Sequence, residues 1–441
     1  MVLMSTRAAN DRTWAYFLPI YIAHCVTAAS TTPSPATATQ PLSTAALLLA
    51  VKSFSTILLG PVFSSAWKPK RVIYYIVTEN ISLVCSGFAL FHFDGKSLTP
   101  LCIASIFLAV ESAASNTLTS NIQKHQTVLT STSSVSLSKA NAALVRLELL
   151  IAAAVPFFVG AVVLRCGYRF SVPVLIVMQL LAALFSLPTA LGVARKQQQQ
   201  QQQPSFASTR NIELPGIAPP KLAPPPPPPP SSPPPSSPPP PPSMSFASLM
   251  EHVRPVFIIM MANALLYFTV VSPSGMMLVY LQTKGLDSFY IASVSSLGQL
   301  FGMVGACITP SLIEKKGLRT AALLLLTCQT ICVAGVAALI TLFGGDAQSD
   351  GMSSSIMLLV CCLIVGSRVG LWGIDLTCRQ IIQIGTKNAG RVAVFGVGDA
   401  MAQFVSLCMY VALSSELLGF STLTMASTLA LFSSWCCVYV Y

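Results

Sequence analysis

Apolar residues come in long runs separated by short polar stretches. The runs measure about 17 to 25 residues, the length that crosses a hydrocarbon core as helix. They fall near 13–29, 43–66, 72–93, 98–121, 143–164, 170–194, 254–282, 288–313, 318–344, 355–382, 392–414 and 417–441. The pattern predicts an all-α membrane protein with about twelve transmembrane helices.

One stretch breaks the rhythm. Residues 195–253 hold seven glutamines, Gln197 to Gln203, and then proline runs from Pro224 to Pro242. Such a composition favours extended polyproline II and cannot bury a core. The chain therefore reads as a six-helix lobe at 1–194, a disordered Gln/Pro-rich linker at 195–253 and a second six-helix lobe at 254–441. That is a major-facilitator-like plan, with a substrate near the midplane between lobes. The proline runs are either a docking strip for SH3-, WW- or profilin-like partners or a plain spacer. A second polar stretch, "QKHQTVLTSTSSVSLSKA", is Ser/Thr-rich and reads as a solvated loop.

Charge adds an orientation. Only 9% of the residues are charged, against roughly 25% in soluble domains. The net charge of +11 does not signal nucleic acid, because the basic residues gather on no single face or tail. They sort by loop instead. Lys68, Lys70 and Arg71 follow the second run, Lys124 and Lys139 the fourth, and Arg195, Lys196, Arg210, Lys221 and Arg254 the sixth. Lys315, Lys316 and Arg319 follow the eighth, and Lys387 and Arg391 the tenth. The alternate loops are poor in them: "STTPSPATATQPLS" has none and "GGDAQSDG" only acids, with Arg165 and Arg169 as the departure. This is the positive-inside pattern. It predicts a multi-pass protein of the plasma membrane or an endomembrane, with both termini and the linker in the cytosol. The first twelve residues are too short for a cleavable signal or transit peptide. Most of the thirteen cysteines lie inside apolar runs, where they read as small packing residues, and none has zinc-site spacing.

Candidate chemistry lies in charges at membrane depth. "SRVGLWGIDLTCRQIIQ" (367–383) continues an apolar run yet carries Arg368, Asp375 and Arg379. At 100° per residue, Arg368, Trp372, Asp375, Arg379 and Gln383 share an arc of about 80°. A charge at the bilayer centre costs about 2.5–3.5 kcal/mol on insertion scales, so one stripe facing the other lobe or a water-filled path is the tolerable arrangement. Asp375 and Arg379 stand four apart with the acid first, the favourable order for a helix pair. Acids also sit in other runs: Asp11, Glu79, Glu111, Glu148 and Asp399. They mark an ion path, or pair structurally with Arg146 or Lys52. Asn141 and Glu148, seven apart, share a face of span five. His24 reads as an interfacial histidine. In "FTVVSPSGMMLVY", Ser272, Pro273, Ser274 and Gly275 either break span seven, freeing carbonyls to line a cavity, or simply kink it. "GSRVG" and "GQLFG" place small residues four apart, which lets helices approach closely.

These segments resemble the ferroportins, the metal exporters of solute carrier family 40. "NDRTWAYF" is similar to the family's opening of span one and "KANAALVRLELLIAAAVPFFVG" to its span five. "TKGLDSFYIASVSSLGQLFGMVGA" is similar to its turn from span seven to span eight, "SRVGLWGIDLTCRQIIQ" to its span ten, and "GRVAVFGVGDAMAQF", opening on Arg391, to its span eleven. The resemblance implies export of ferrous iron and related divalent metals, with one site per lobe and proton exchange. It makes Asp11 a lobe-one ligand and Glu148 an acid of the same lobe near the path. Trp372, Asp375 and the nearby Arg368, Arg379 and Arg391 become the gating region. Some family positions differ. Ala15 stands where animal members carry a histidine, Gly275 stands near a metal-binding cysteine of vertebrate members, and Cys436 stands roughly where span twelve has a histidine. "WKPKR" replaces an acidic loop, so hormone regulation of the vertebrate type is not expected. "SPSG" resembles the plastid-type plant branch.

The candidate metal ligands are thus Asp11, Asn141, Glu148, Ser274 and Cys436, with Pro273 and Gly275 as a hinge. No nucleotide-binding loop, nucleophile elbow or zinc-peptidase motif occurs in the sequence. The expectation is a secondary transporter that is not an enzyme, needs no cofactor beyond the transported ion, and works in the lipid bilayer. The alternatives are a facilitator for an organic cation such as a polyamine or a chelated metal, and a non-transporting scaffold that uses the proline strip.

Overall fold

The computed structural model describes residues 13, 17–26, 28, 40–65, 72–93, 98–129, 134–202, 246–272, 275–344, 353–386, 391–415 and 418–441. Nearly all of them are helical. Helix α1 is Phe17–Val26. It is followed by α2 (Gln40–Ser65), α3 (Val72–Phe91), α4 (Leu98–Leu129), α5 (Ser134–Gln202), α6 (Phe246–Val253), α7 (Phe257–Leu265), α8 (Met276–Thr283), α9 (Ser288–Lys316), α10 (Leu318–Phe343), α11 (Ser354–Gly385), α12 (Arg391–Ser414) and α13 (Phe420–Val440). Among the described residues, eight helices are long and apolar enough to cross a membrane, and α1 and part of α4 are shorter apolar ones.

Helix α5 accounts for two of the expected runs. Its apolar stretch covers 41 residues, Asn141–Leu181, or about 60 Å of helix, twice a hydrocarbon core. The ladder is interrupted at Gly167, with φ 73° and ψ 164°, a conformation that residues with a Cβ rarely adopt. The limb before Gly167 lies against α9, where a Cβ on Gly160 would stand 3.1 Å from that of Ala292. The limb after it lies against α3, where Gln179 donates to Asn80 (2.8 Å) and Arg169 sits over the Phe91 ring. With two traverses in α5 and one shared by α7 and α8, the helices give the expected twelve.

Both ends of the expected linker, 195–253, are helical among the described residues. Helix α5 runs on through Gln202 and α6 occupies Phe246–Val253. Glutamine is a good helix former, so the first part of its tract extends the helix that precedes it. The proline runs lie outside the described residues.

The seventh traverse is broken, which resolves the choice left open by its sequence. Helix α7 stops at Leu265 and α8 starts at Met276 after Gly275, whose φ is 65°. Pro273 and Ser274 lie outside the described residues. The backbone between the two half-helices is served by serines of later helices. Ser406 donates to the Tyr267 carbonyl at 3.5 Å, and the Val270 N–H donates to Ser427 Oγ at 3.1 Å. Ser434 donates to the Ala262 carbonyl of α7 at 2.9 Å.

Close packing of the second lobe rests on glycine. A Cβ on Gly302 of α9 would lie 2.3 Å from Trp372 Cδ1, and one on Gly305 the same distance from the Val369 carbonyl. A Cβ on Gly370 of α11 would lie 2.5 Å from the Leu325 carbonyl of α10. One glycine of each small-residue pair read from the sequence, Gly302 and Gly370, is therefore a close contact point among α9, α10 and α11, and Gly305 adds a third. The lobes meet along two seams, α5 against α9 and α2 against α12. Large apolar side chains such as Leu164, Leu184 and Leu342 remain exposed on the outside of the bundle, where a bilayer would cover them.

Candidate functional site

A cavity of about 260 Å³ is lined by the second lobe, with Glu148 of the first lobe closing its wall. Helix α5 contributes Glu148 to its wall, and the break between α7 and α8 contributes Tyr267 and Ser272. Helix α11 contributes Arg368, Leu371, Trp372, Asp375 and Arg379, and α12 contributes Ser406, Met409 and Tyr410. The polar stripe of α11 thus faces this space. Its helical period puts four functional side chains on one wall, as the spacing requires.

The charges on that wall are organised. Arg379 Nε stands 2.9 Å from Asp375 Oδ2, the expected pair one turn apart. Arg368 donates from Nη1 to Ser272 Oγ at 3.3 Å, linking α11 to the broken traverse. Trp372 lays its indole over Gly302 of α9. Its other neighbours form a small apolar cluster with Ala142, Val145 and Leu149 of α5, Ala306 of α9 and Leu376 of α11. That cluster spans the seam between lobes. Beside it, Asn141 Nδ2 donates to Gln383 Oε1 at 2.8 Å, a hydrogen bond from α5 to α11.

This arrangement sorts the residues picked from the sequence. Glu148, Arg368, Trp372, Asp375 and Arg379 come together around one cavity. Asn141, expected as a ligand, makes the inter-lobe bond to Gln383 and is not among the residues lining the cavity. Arg146, weighed with Lys52 as a structural partner for the acids in the apolar runs, turns its Nε to the Ala142 carbonyl of its own helix at 3.1 Å. Cys436, half-buried on α13, is not in the wall either. Arg391 opens α12. Gly275 is the turn into α8, as a hinge would be. Asp11, Pro273 and Ser274 lie outside the described residues. Among the described residues, no three His, Cys, Asp or Glu side chains gather as a metal cluster.

Sequence reasoning missed Tyr267, Tyr410, Ser406 and Met409. Each is an ordinary residue of an apolar run, and only the fold shows which side of the run meets the cavity.

Comparison with known proteins gives this geometry a context. Residues 248–431 match the family model Ferroportin1 (FPN1). Over 154 residues the chain is 29% identical to "Solute carrier family 40 member 1" of Oryza sativa subsp. japonica, a match covering 34% of this chain and 30% of that protein. The alignment therefore spans about a third of the curated relative. The fold matches a bacterial homologue of the iron transporter ferroportin in an inward-facing state, with a TM-score of 0.68 at 16% identity over 100% of this chain and 96% of that one. An outward-facing structure of a bacterial homologue with soaked iron matches with a TM-score of 0.63 at 16% identity, covering 100% and 98%. The segments quoted from the second half of the chain fall within the family match, and the solved structures agree in fold.

Proposed function

We propose, with kinship to the ferroportins as the premise, that this chain is a secondary transporter that exports divalent metal ions by alternating access. Ferrous iron is the leading substrate, with cobalt and nickel as related ones. The observation that carries the reading is the second-lobe cavity in whose wall Glu148 of α5 joins Asp375 and Arg379 of α11. Carboxylate oxygens suit hard and borderline divalent ions. The iron soaked into a bacterial homologue's outward-facing structure supports the same class of substrate. In this scheme Glu148 and Asp11 hold the ion. The Asp375–Arg379 pair is already matched in charge, so it couples the lobes instead of binding cargo. Arg368 and Trp372 serve the same coupling through Ser272 and α9. The positive-inside pattern puts both termini and the linker in the cytosol.

A second reading has its own support. Trp372, Tyr267 and Tyr410 also line the cavity, and about 260 Å³ exceeds the need of a bare ion. Aromatic faces attract organic cations as well as metal-bound ligands. Flux from proteoliposomes holding the purified protein separates the two. Ferrous iron, cobalt, nickel and a polyamine are each loaded and their release timed against empty liposomes. Metal efflux that falls about tenfold or more in Glu148→Gln is the expected result. Release of the polyamine alone would replace the metal reading with the organic-cation one.

A further inference from the structure

At the end of the first limb of α5 opposite Asn141, a second set of hydrogen bonds crosses between lobes. Tyr168 follows Gly167, at the junction of the two limbs of α5. Its hydroxyl stands 2.5 Å from Ser288 Oγ, at the first residue of α9. Gln282 of α8 donates to the same hydroxyl at 3.4 Å. On its own lobe, Tyr168 stacks on His24 of α1, with ring centroids 4.1 Å apart and planes 18° apart. Asp287 caps α9 by accepting from the Ser288 N–H at 2.8 Å, which fixes the residue that carries the hydroxyl.

We infer that Tyr168 is the latch that closes this end of the transport path, with Ser288 and Gln282 as its catch on the opposite lobe. The parts divide by role. The left-handed turn at Gly167 sets the phenol at the rim of the first lobe, and the His24 ring braces its flat side. One hydroxyl then engages two side chains that flank the turn between α8 and α9. Helix α8 follows the break that forms part of the cavity wall, so closing the latch holds that half-helix as well as the rim. Opening needs only two hydrogen bonds to exchange for water, a small step suited to a gate that must move in every cycle. The inference rests on the transporter reading, but it does not depend on what the substrate is.

The test measures the gap directly, without substrate. Nitroxide labels carried by a noncanonical amino acid at Leu164 and Tyr290, both exposed on either side of the latch, report the inter-lobe distance by pulsed electron spin resonance. Tyr168→Phe keeps the stacking on His24 and loses the hydroxyl. The open-to-closed ratio should rise about fivefold or more, since one intramolecular hydrogen bond is worth about that factor and the hydroxyl makes two. Ser288→Ala, which leaves the Gln282 bond, should shift it the same way by less, and the double variant should match Tyr168→Phe, which already lacks the Ser288 contact. Ser293→Ala, whose hydroxyl bonds its own helix at Phe289, should leave the distances unchanged. Unchanged distances in Tyr168→Phe and Ser288→Ala overturn the latch, as do fully additive shifts in the double variant. Should the metal reading fail in flux, the distance data would still decide the latch.

Discussion

Gly305 and Gly396 look alike in the sequence and differ in what surrounds them. A Cβ on Gly305 would meet the Val369 carbonyl at 2.3 Å, and a backbone atom in a helix cannot swing aside. A Cβ on Gly396 would meet nothing within 4 Å. Gly305→Ala should push α9 from α11 and cost about 1–3 kcal/mol, the scale of overpacking. Gly396→Ala should be neutral or slightly stabilising, as glycine is the poorer helix former. Thermal unfolding in detergent compares the two, and an equal response would contradict the packing. Asp375 and Glu148 form a second contrast. Asp375→Asn removes one partner of a pair whose aspartate is 9% exposed and whose arginine is 36% exposed. The cost should fall below the about 3–5 kcal/mol of a fully buried pair, yet suffice to disturb a balance between two conformations. Titration calorimetry should find metal affinity changed less than about threefold in Asp375→Asn and lost in Asp11→Ala and Glu148→Gln, with the affinity ratio converted at 1.4 kcal/mol per tenfold. Lost binding in Asp375→Asn alone would exchange the roles.

The elements divide by how much their own sequence says. Helix α11 was legible nearly in full, because Arg368, Trp372, Asp375 and Arg379 recur at the helical period and a charge in a bilayer has few places to go. The break in the seventh traverse was legible as a choice between break and kink, since proline and glycine disturb a helix without saying by how much. The latch was not legible. Tyr168, Gln282 and Ser288 lie at the ends of traverses, where no period applies, and their partners are more than a hundred residues away. The Asn141 contact was hidden for a related reason: sharing a face with Glu148 says nothing of Gln383, which lies 242 residues on. At Gly275, φ 65° makes any side chain strained while Leu49 Cδ1, at 3.6 Å from the added Cβ, leaves room for it. Gly275→Ala should therefore slow transport through the backbone of the hinge, with a stability loss of about 1–2 kcal/mol. A time course of efflux and an unfolding curve on the same sample test this, and unaltered efflux would remove Gly275 from the hinge.

At the scale of the molecule, two lobes meet along α5–α9 and α2–α12, and the Gln/Pro-rich composition of the expected linker offers little apolar surface to pack against either. Shortening 197–243 to a flexible tether that still spans the lobes should leave transport within about twofold, because closure entropy depends weakly on loop length. Loss of transport in protein that inserts normally would give the proline runs a role in the cycle.

The serines that serve the broken traverse also set an order of events during synthesis. Val270 is followed by its partner Ser427 only 157 residues later, and Tyr267 by Ser406 after 139. At about 5–20 residues per second, the ribosome takes roughly 8–30 s to make that length. Through that interval the half-helices have entered the bilayer without the hydroxyls that satisfy them, and an unpaired backbone group in hydrocarbon costs several kcal/mol. The nascent second lobe is therefore a client for membrane chaperones and proteases until its last two helices arrive. Stalled chains ending at Lys387 should show rapid amide exchange at 266–272 and quick degradation, while released full-length chains show neither.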